Sequence, residues 1–286
     1  MTEWNPEVLA GLLDECGRIA LDLYDDPGIS VKNDQSLVTR ADHAVEGFLA
    51  QSFHKPEEGS FLIGEETIAT RSSSYIKEAF RHTAWIVDPI DGTVPYAHHL
   101  AHWGVSVGFM QQGRLTEGAV YLPVTREYYI SHRGEILYAR PAPGEKPVLA
   151  PLKIERSAPE EKSIVGISQD VVRGKLGSLA NPVQTLGCVV VPFAYMLQGR
   201  FMAYVGYMKL WDLAGSLPLL RNAGFIVRSA DGQDLDPQIS PGQFVLDPDH
   251  ERFCYLRSNL IAAPNEEIYQ QVRSRVSLPE VMIPGP

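Results

Sequence analysis

The run Trp85-Ile86-Val87-Asp88-Pro89-Ile90-Asp91-Gly92-Thr93 carries two carboxylates three residues apart at the end of an apolar, strand-like stretch. A proline fixes the backbone between them. Two acids on one tight turn repel each other, which is costly unless a cation sits between them. Gly92 removes a side chain where backbone must come close to another group. Thr93 then offers a hydroxyl and an N–H at a prospective helix start, a place where anions bind. Acid, acid, glycine and hydroxyl on one turn point to a metal ion that meets a phosphate. The same residue types also favour ordinary turns, so the stretch by itself leaves both readings open.

Two other segments bear on the choice. Phe61-Leu62-Ile63-Gly64-Glu65-Glu66-Thr67 is a second apolar run that ends in glycine and two acids. Lys209-Leu210-Trp211-Asp212-Leu213-Ala214-Gly215 places an acid at the start of an apolar-periodic segment (Leu213, Leu217, Leu220, Ala223). Alone, Asp212 also reads as a helix N-cap, and Glu65-Glu66 as a solvated strand end. His98, His99 and His102 cluster just after the first motif. They lack the fixed spacing of a transition-metal site and read as a polar loop near a pocket mouth.

The order Gly64-Glu65-Glu66, then Asp88-Pro89-Ile90-Asp91-Gly92-Thr93, then Trp211-Asp212 resembles the inositol monophosphatase-like family of magnesium-dependent, lithium-sensitive phosphatases. The resemblance spans almost the whole chain. It begins at Lys32 and at Leu37-Val38-Thr39-Arg40-Ala41-Asp42, which looks like the family's Val-Thr-x-x-Asp element. It runs through Gly187 and the helix after it to Asn222-Ala223-Gly224.

The resemblance implies an α/β (α+β) fold, a layered α-β-α-β-α sandwich of mixed sheets and helices with the metal site between two halves. It implies a small phosphorylated metabolite as substrate, Mg2+ as cofactor and a homodimer. Glu65, Asp88 and the carbonyl of Ile90 would hold a first ion. Asp88, Asp91 and Asp212 would hold a second, and a weaker third belongs near Glu65. The attacking water would be oriented by Glu65 and the Thr93 hydroxyl, with Asp42 accepting from Thr93. The N–H groups of Gly92 and Thr93 would receive the phosphate, and Glu66 would stand behind the ligands. Thr39-x-x-Asp42 also has the form of a capping box, a role compatible with the catalytic one.

This division of labour is what the chemistry asks for. Phosphate monoesters hydrolyse extremely slowly without help. Two divalent ions can neutralise the phosphoryl oxygens, generate a hydroxide and stabilise the leaving alkoxide. Magnesium takes hard oxygen ligands, so acids and a carbonyl suffice without histidine or cysteine. The other class of function left open is a non-catalytic relative that binds metal or ligand, or regulates a partner.

The chain departs from the family around the substrate. An acid precedes Trp-Asp in inositol monophosphatases and contacts the inositol ring, but Tyr204-Val205-Gly206-Tyr207-Met208-Lys209 holds none. An asparagine often stands two positions after Asp-Gly-Thr, where this chain has Val94 and Pro95, then Tyr96. The small-residue turn of the family is Gly187-Cys188-Val189 here, bulkier at a substrate-facing site. Cys188, Tyr207 and Lys209 are therefore the expected substrate contacts. Lys209 has the reach for a second anionic group, though a loop lysine is commonly just solvated.

Composition fits such an enzyme. With 286 residues, 44% of them hydrophobic, the chain can bury a full core as one large or two modest domains. The net charge of −10 argues against a nucleic-acid partner, though not against a small phosphate met by bound cations. No apolar run approaches a membrane span, and Met1-Thr2-Glu3-Trp4-Asn5 has no basic-then-apolar leader. The three scattered cysteines Cys16, Cys188 and Cys254 suit a reducing cytoplasm.

The elements alternate. Asn5-Pro6 opens a helix in which Val8, Leu9, Leu12, Leu13, Cys16, Ile19, Ala20 and Leu23 recur at helical spacing, and a second helix runs from Thr39 to about Phe53. Strands are expected at 61–65 and 84–88. Hairpins turn at Gln112-Gly113 and Arg133-Gly134, joining strands at 105–111, 115–122, 127–131 and 135–139. Residues 141–151, with four prolines among eleven, mark the boundary between halves 1–145 and 146–286. Beyond it come a strand at 163–168, a helix near 187–199, a strand at 201–205, one helix over 213–223, a strand at 225–229 and a loop from Leu278 to Pro286.

Overall fold

The computed structural model describes residues 1–32, 35–173, 177–278 and 281. In chain order it has α1 (Pro6–Asp22), β1 (Ser30–Val31), β2 (Leu37–Val38), α2 (Arg40–Phe53), β3 (Ser60–Gly64), α3 (Ser73–Arg81), β4 (Thr83–Asp91) and α4 (Thr93–Ala97). Then come β5 (Gly104–Gln111), β6 (Arg114–Leu122), β7 (Glu127–His132), β8 (Glu135–Ala139), β9 (Ala150–Pro151), β10 (Val165–Ile167), α5 (Gln169–Arg173) and β11 (Val183–Gln184). The last are α6 (Val190–Leu197), β12 (Ala203–Gly206), α7 (Leu210–Ala214), α8 (Ser216–Asn222), β13 (Ile226–Ser229), β14 (Leu260–Ala263) and α9 (Glu266–Arg275).

Two mixed sheets organise these elements. The larger runs β3-β4-β5-β6-β7-β8-β9, and only β3 and β4 are parallel. The smaller runs β11-β10-β12-β14-β13, with β10 parallel to both its neighbours. Strands such as β4, β5, β10, β12 and β14 bury both faces, and the period of two in their side chains sorts residues between layers. On β4, Trp85 and Val87 join Leu9, Leu13, Val45 and Leu49 of α1 and α2 on one side. Ala84 and Ile86 face the other side, where α6, α7 and α8 contribute Phe193, Leu213 and Leu220. The small sheet repeats the pattern. Tyr204 of β12 faces that middle helical layer, whereas Ala203 and Val205 pack outward with Val171, Ile268 and Val272 of α5 and α9. The result is the five-layer α-β-α-β-α sandwich.

Local chemistry accounts for the helix starts. The Asn5 side chain accepts the Val8 N–H at 3.1 Å, with Pro6 in the first turn. Asn265 caps α9 through the Ile268 N–H at 2.9 Å. The single helix expected over 213–223 is instead two, α7 and α8, meeting at Gly215. The cause lies in the sheet below. The Ser106 hydroxyl donates to the Trp211 carbonyl at 2.9 Å and accepts the Gly215 N–H at 3.2 Å, so a strand side chain inserts into the helical ladder. The helix expected near 187–199 is confined to Val190–Leu197. The strand expected at 84–88 runs on to Asp91. Of the loop expected from Leu278 to Pro286, all but residues 278 and 281 lies outside the described residues. Among the described residues no helix is long and apolar enough to cross a membrane.

The α7–α8 junction rests on the sheet backbone to backbone. A Cβ at Gly118 would come within 2.3 Å of the Gly215 carbonyl oxygen, a contact that no side-chain rotation relieves. Gly118→Ala is therefore expected to lower unfolding stability by about 1–3 kcal/mol, as overpacking does. Gly47→Ala, on a helix with open space around it, is expected to hold stability or raise it slightly. Urea denaturation of the two variants beside the wild type measures the contrast.

Candidate active site

Three elements from two layers converge on one cluster of acids. β4 pairs regularly with β5 as far as Asp88 opposite Ser106, then the register slips before Asp91 meets Gly104. Pro89 lies in the slip and cannot donate to the ladder, as expected at a bulge. Within it, the Ile90 N–H donates to Asp88 Oδ1 at 3.1 Å. Gly92 follows at φ 98°, left-handed backbone, and a Cβ there would sit 2.8 Å from both the Cys188 side chain and the His102 carbonyl. The third acid arrives on α7, where Asp212 Oδ2 accepts the Lys209 N–H at 2.8 Å. Ligand oxygens of Asp88, Asp91 and Asp212 all lie within 4.8 Å of one another.

Each acid is anchored by backbone. Asp91 Oδ2 accepts the N–H groups of Val189 and Val190 at 2.7 and 2.6 Å, which ties β4 to the start of α6. Burial raises the Asp88 and Asp91 carboxyls well above the usual range, and neighbouring acids add to it: Glu65 first for Asp88, Asp212 first for Asp91. Asp212 is pushed up to about 6 by burial and then by Glu65. Buried oxygen ligands that cannot comfortably all ionise fit a hard divalent cation such as Mg2+.

Glu65 stands beside this triad. Its N–H donates to the Val87 carbonyl at 3.1 Å, which fixes the end of β3 against β4. Its carboxylate meets two ammonium groups, Lys32 at 3.2 Å and Lys209 at 3.7 Å. Lys32 also binds Glu66 at 2.7 Å. Burial, reinforced by Glu65, pushes Glu66 up to about 7.

Thr93 and Asp42 do meet, though 51 residues separate them. The Thr93 hydroxyl lies 3.2 Å from Asp42 Oδ1 and 3.2 Å from the Ile90 carbonyl. Asp42 is fully buried, and its other oxygen accepts the Thr39 N–H at 2.7 Å and the Thr39 hydroxyl at 2.5 Å. The helix cap and the link to Thr93 are thus made by the same carboxylate. Burial raises its pKa, opposed in part by the bonds from Thr39.

A cavity of about 220 Å3 opens beside Asp91 and Asp212, and Cys188, Tyr204 and Tyr207 are in its wall. Cys188 and Tyr207, expected as substrate contacts, thus border the acids. Lys209 is held elsewhere, its ammonium 5.3 Å from the ring centroids of both Trp211 and Tyr255. The histidines stay apart from the acids: His98 Nδ1 contacts the Val94 carbonyl at 2.8 Å and His99 packs edge-on against Tyr24. Among the described residues, no histidine joins a group of three side chains placed to hold a metal.

Sequence reasoning missed Glu46. It is 1% exposed on α2, and its Oε2 accepts the Glu66 N–H at 2.9 Å. Gly64 is side-chain-free because a Cβ there would meet the Glu46 carboxylate at 2.3 Å. The available signal was an acid within the buried stripe that contains Val45 and Leu49.

Comparison with known proteins agrees with this architecture. The chain is 28% identical to the inositol-1-monophosphatase of Rhizobium meliloti over 71% of this chain and 76% of that protein. It is 26% identical to the inositol-1-monophosphatase of Bacillus subtilis over 95% and 97% of the two chains. A solved IMPase/NADP phosphatase complexed with Mg2+ and phosphate superimposes with a TM-score of 0.66 at 19% identity, over 93% of this chain and 92% of that one. The sequence profile of the inositol monophosphatase family matches residues 7–277, and the chain belongs to that family of phosphatases.

Proposed function

We propose that this phosphatase hydrolyses a small phosphate monoester with Mg2+ held by Glu65, Asp88, the Ile90 carbonyl, Asp91 and Asp212. The observation that carries the reading is the triad of buried Asp88 and Asp91 with half-buried Asp212, set against a Gly92-Thr93 turn whose hydroxyl is bound to a buried carboxylate. A bound pair of magnesium ions supplies positive charge for the phosphoryl oxygens and acidifies the attacking water.

The remaining work falls to the chain. With its proton directed at Asp42, the Thr93 hydroxyl keeps its lone pairs for the attacking water. Asp42, fixed by Thr39 on its other oxygen, holds that orientation. Glu65 accepts from the same water. The N–H groups of Gly92 and Thr93 bind the phosphoryl oxygens and set the phosphorus in line. Lys32 bridges Glu65 and Glu66 and keeps both chains of atoms directed at the site. The family resemblance alone supports a cytoplasmic homodimer.

The organic part of the ester would occupy the cavity beside Asp91 and Asp212. Val205, within the stretch where inositol monophosphatases carry an acid, is fully buried, and the cavity wall offers Cys188, Tyr204 and Tyr207 instead. Lys209 is directed at Glu65, which favours an aromatic or otherwise uncharged group over a second anion.

Metal dependence and pH are linked. The folded protein without metal binds protons at Asp88, Asp91 and Asp212 more tightly than the unfolded chain, whose aspartates titrate near roughly 3.9. That stabilisation is present at low pH and is lost as pH rises through about 6, the value for Asp212. In chelator, the thermal midpoint is expected to fall between pH 5 and pH 8, and magnesium to raise it more at pH 8 than at pH 5. Phosphate release should need magnesium and be inhibited by millimolar lithium. Full turnover in chelator would refute the reading.

Thr93→Ala is expected to cut turnover by roughly 10²-fold or more with magnesium affinity little changed. Asp42→Asn should lose turnover to a similar degree and some thermal stability with it. Intact turnover in Asp42→Asn beside a lowered melting temperature would leave Asp42 the capping role alone.

Inositol 1-phosphate is expected to be a poor or average substrate. Comparing kcat/KM for it with histidinol phosphate, fructose 1,6-bisphosphate, 3′-phosphoadenosine 5′-phosphate and nucleoside monophosphates tests this. A lead of tenfold or more for inositol 1-phosphate, about 1.4 kcal/mol of transition-state preference, would show that another group replaces the missing acid.

A further inference from the structure

Tyr204, in the wall of the cavity beside the acids, is built in with unusual firmness. It is 2% exposed on β12 and faces the middle helical layer. Its ring lies along the sheet between two glycines on its own face: Gly166, its register partner on β10, and Gly206, two residues further along β12. A Cβ at Gly166 would come within 2.8 Å of the ring, and one at Gly206 within 2.7 Å of the ring and 2.9 Å of the hydroxyl. Neither glycine has left-handed backbone, so the absence of a side chain is what matters at both. Phe193 of α6 packs edge-on at 4.9 Å and closes the slot from above.

The slot directs the hydroxyl along the strand toward Gly206, where the chain turns into the Lys209–Asp212 segment. Among the described residues none hydrogen-bonds to this hydroxyl, and it is not fully enclosed by protein. A hydroxyl without a protein partner is available to a bound molecule, and this one adjoins the space beside Asp91 and Asp212. Burial, with Asp91 the next contributor, keeps the phenol protonated and hence a donor.

We propose that Tyr204 is a specificity-determining residue whose hydroxyl donates a hydrogen bond to an uncharged oxygen substituent on the organic part of the phosphate ester. The proposal rests on the phosphatase reading above and adds to it the recognising atom. Away from the acids Asp91 and Asp212, the other polar side chains in that wall, Ser168, Gln169 and Tyr207, are neutral. A carboxylate in their place would repel an anionic substituent and attract a cationic one, whereas this wall selects by hydrogen bonding. A ring held between two glycines and a phenylalanine has lost its rotamer freedom before binding, so the bond forms with little further ordering.

A matched pair of non-hydrolysable probes, propylphosphonate and 2,3-dihydroxypropylphosphonate, isolates the contact. They share charge and length and differ in the two hydroxyls. Titration calorimetry on the magnesium-loaded wild type is expected to show the dihydroxy probe binding about tenfold tighter, the effect of one neutral hydrogen bond. In Tyr204→Phe, which keeps the ring in its slot, that preference should collapse with propylphosphonate affinity, magnesium affinity and melting temperature unchanged. A preference that survives in Tyr204→Phe, a loss shared equally by both probes, or a wild type with no preference would each overturn the proposal. Turnover of p-nitrophenyl phosphate by the wild type decides the phosphatase reading separately, since it needs no hydroxyl on the leaving group.

Discussion

The gathering of three carboxylates, two of them buried and the third half-buried, within 4.8 Å of one another is the constraint on which the rest of the architecture depends. Like charges in a dry site raise each other's pKa and oppose folding unless something compensates. The protein answers with backbone donors: Val189 and Val190 for Asp91, Ile90 for Asp88, Lys209 for Asp212. None of these donors comes from a flexible side chain, so the carboxylates are oriented before any cation arrives. In the proposed function, the remaining repulsion would become binding free energy for a divalent ion.

Those donors explain why the acids need two sheets and a helical layer. Asp88 and Asp91 sit at the end of β4, the second strand of its sheet, with β3 and β5 on either side. Asp212 comes from the middle layer, and its helix is pinned to the sheet through Ser106, one strand over and opposite Asp88. The same hydroxyl that breaks the helix at Gly215 thereby fixes where Asp212 stands. A single helix through 213–223 could not have accepted that side chain into its ladder. The interruption and the site are one feature.

What the sequence made legible was local. Asp88 to Thr93 declares its turn because proline, glycine and two acids act over six residues. The long strands and the first two helices follow from periodicity. Glu46 and Ser106 were not legible, because each matters only through a partner distant in sequence, at Glu66 and at Gly215. The slot around Tyr204 is invisible until β10 lies beside β12 and Gly166 comes opposite it. The α3 and α9 helices carry short or highly charged sequences whose apolar faces amount to a few residues, Ile76 and Ala79 in one, Ile268 and Val272 in the other.

The link between Asp91 and α6 extends the argument from position to behaviour. One carboxylate closes the N-terminal end of a helix in the middle layer and contributes to the acid triad. Cys188 and Val189, at that same end, adjoin the space where the substrate's organic part would lie. Gly92 is the closest neighbour on the other side, and a Cβ there would strike Cys188. Any shift of α6 must therefore move an Asp91 contact, the Gly92-Thr93 turn and the cavity wall together. Compact backbone contacts of this kind leave few independent degrees of freedom. In the proposed function, changes in Cys188 or Val189 that alter substrate choice would thus also be felt at the acid triad.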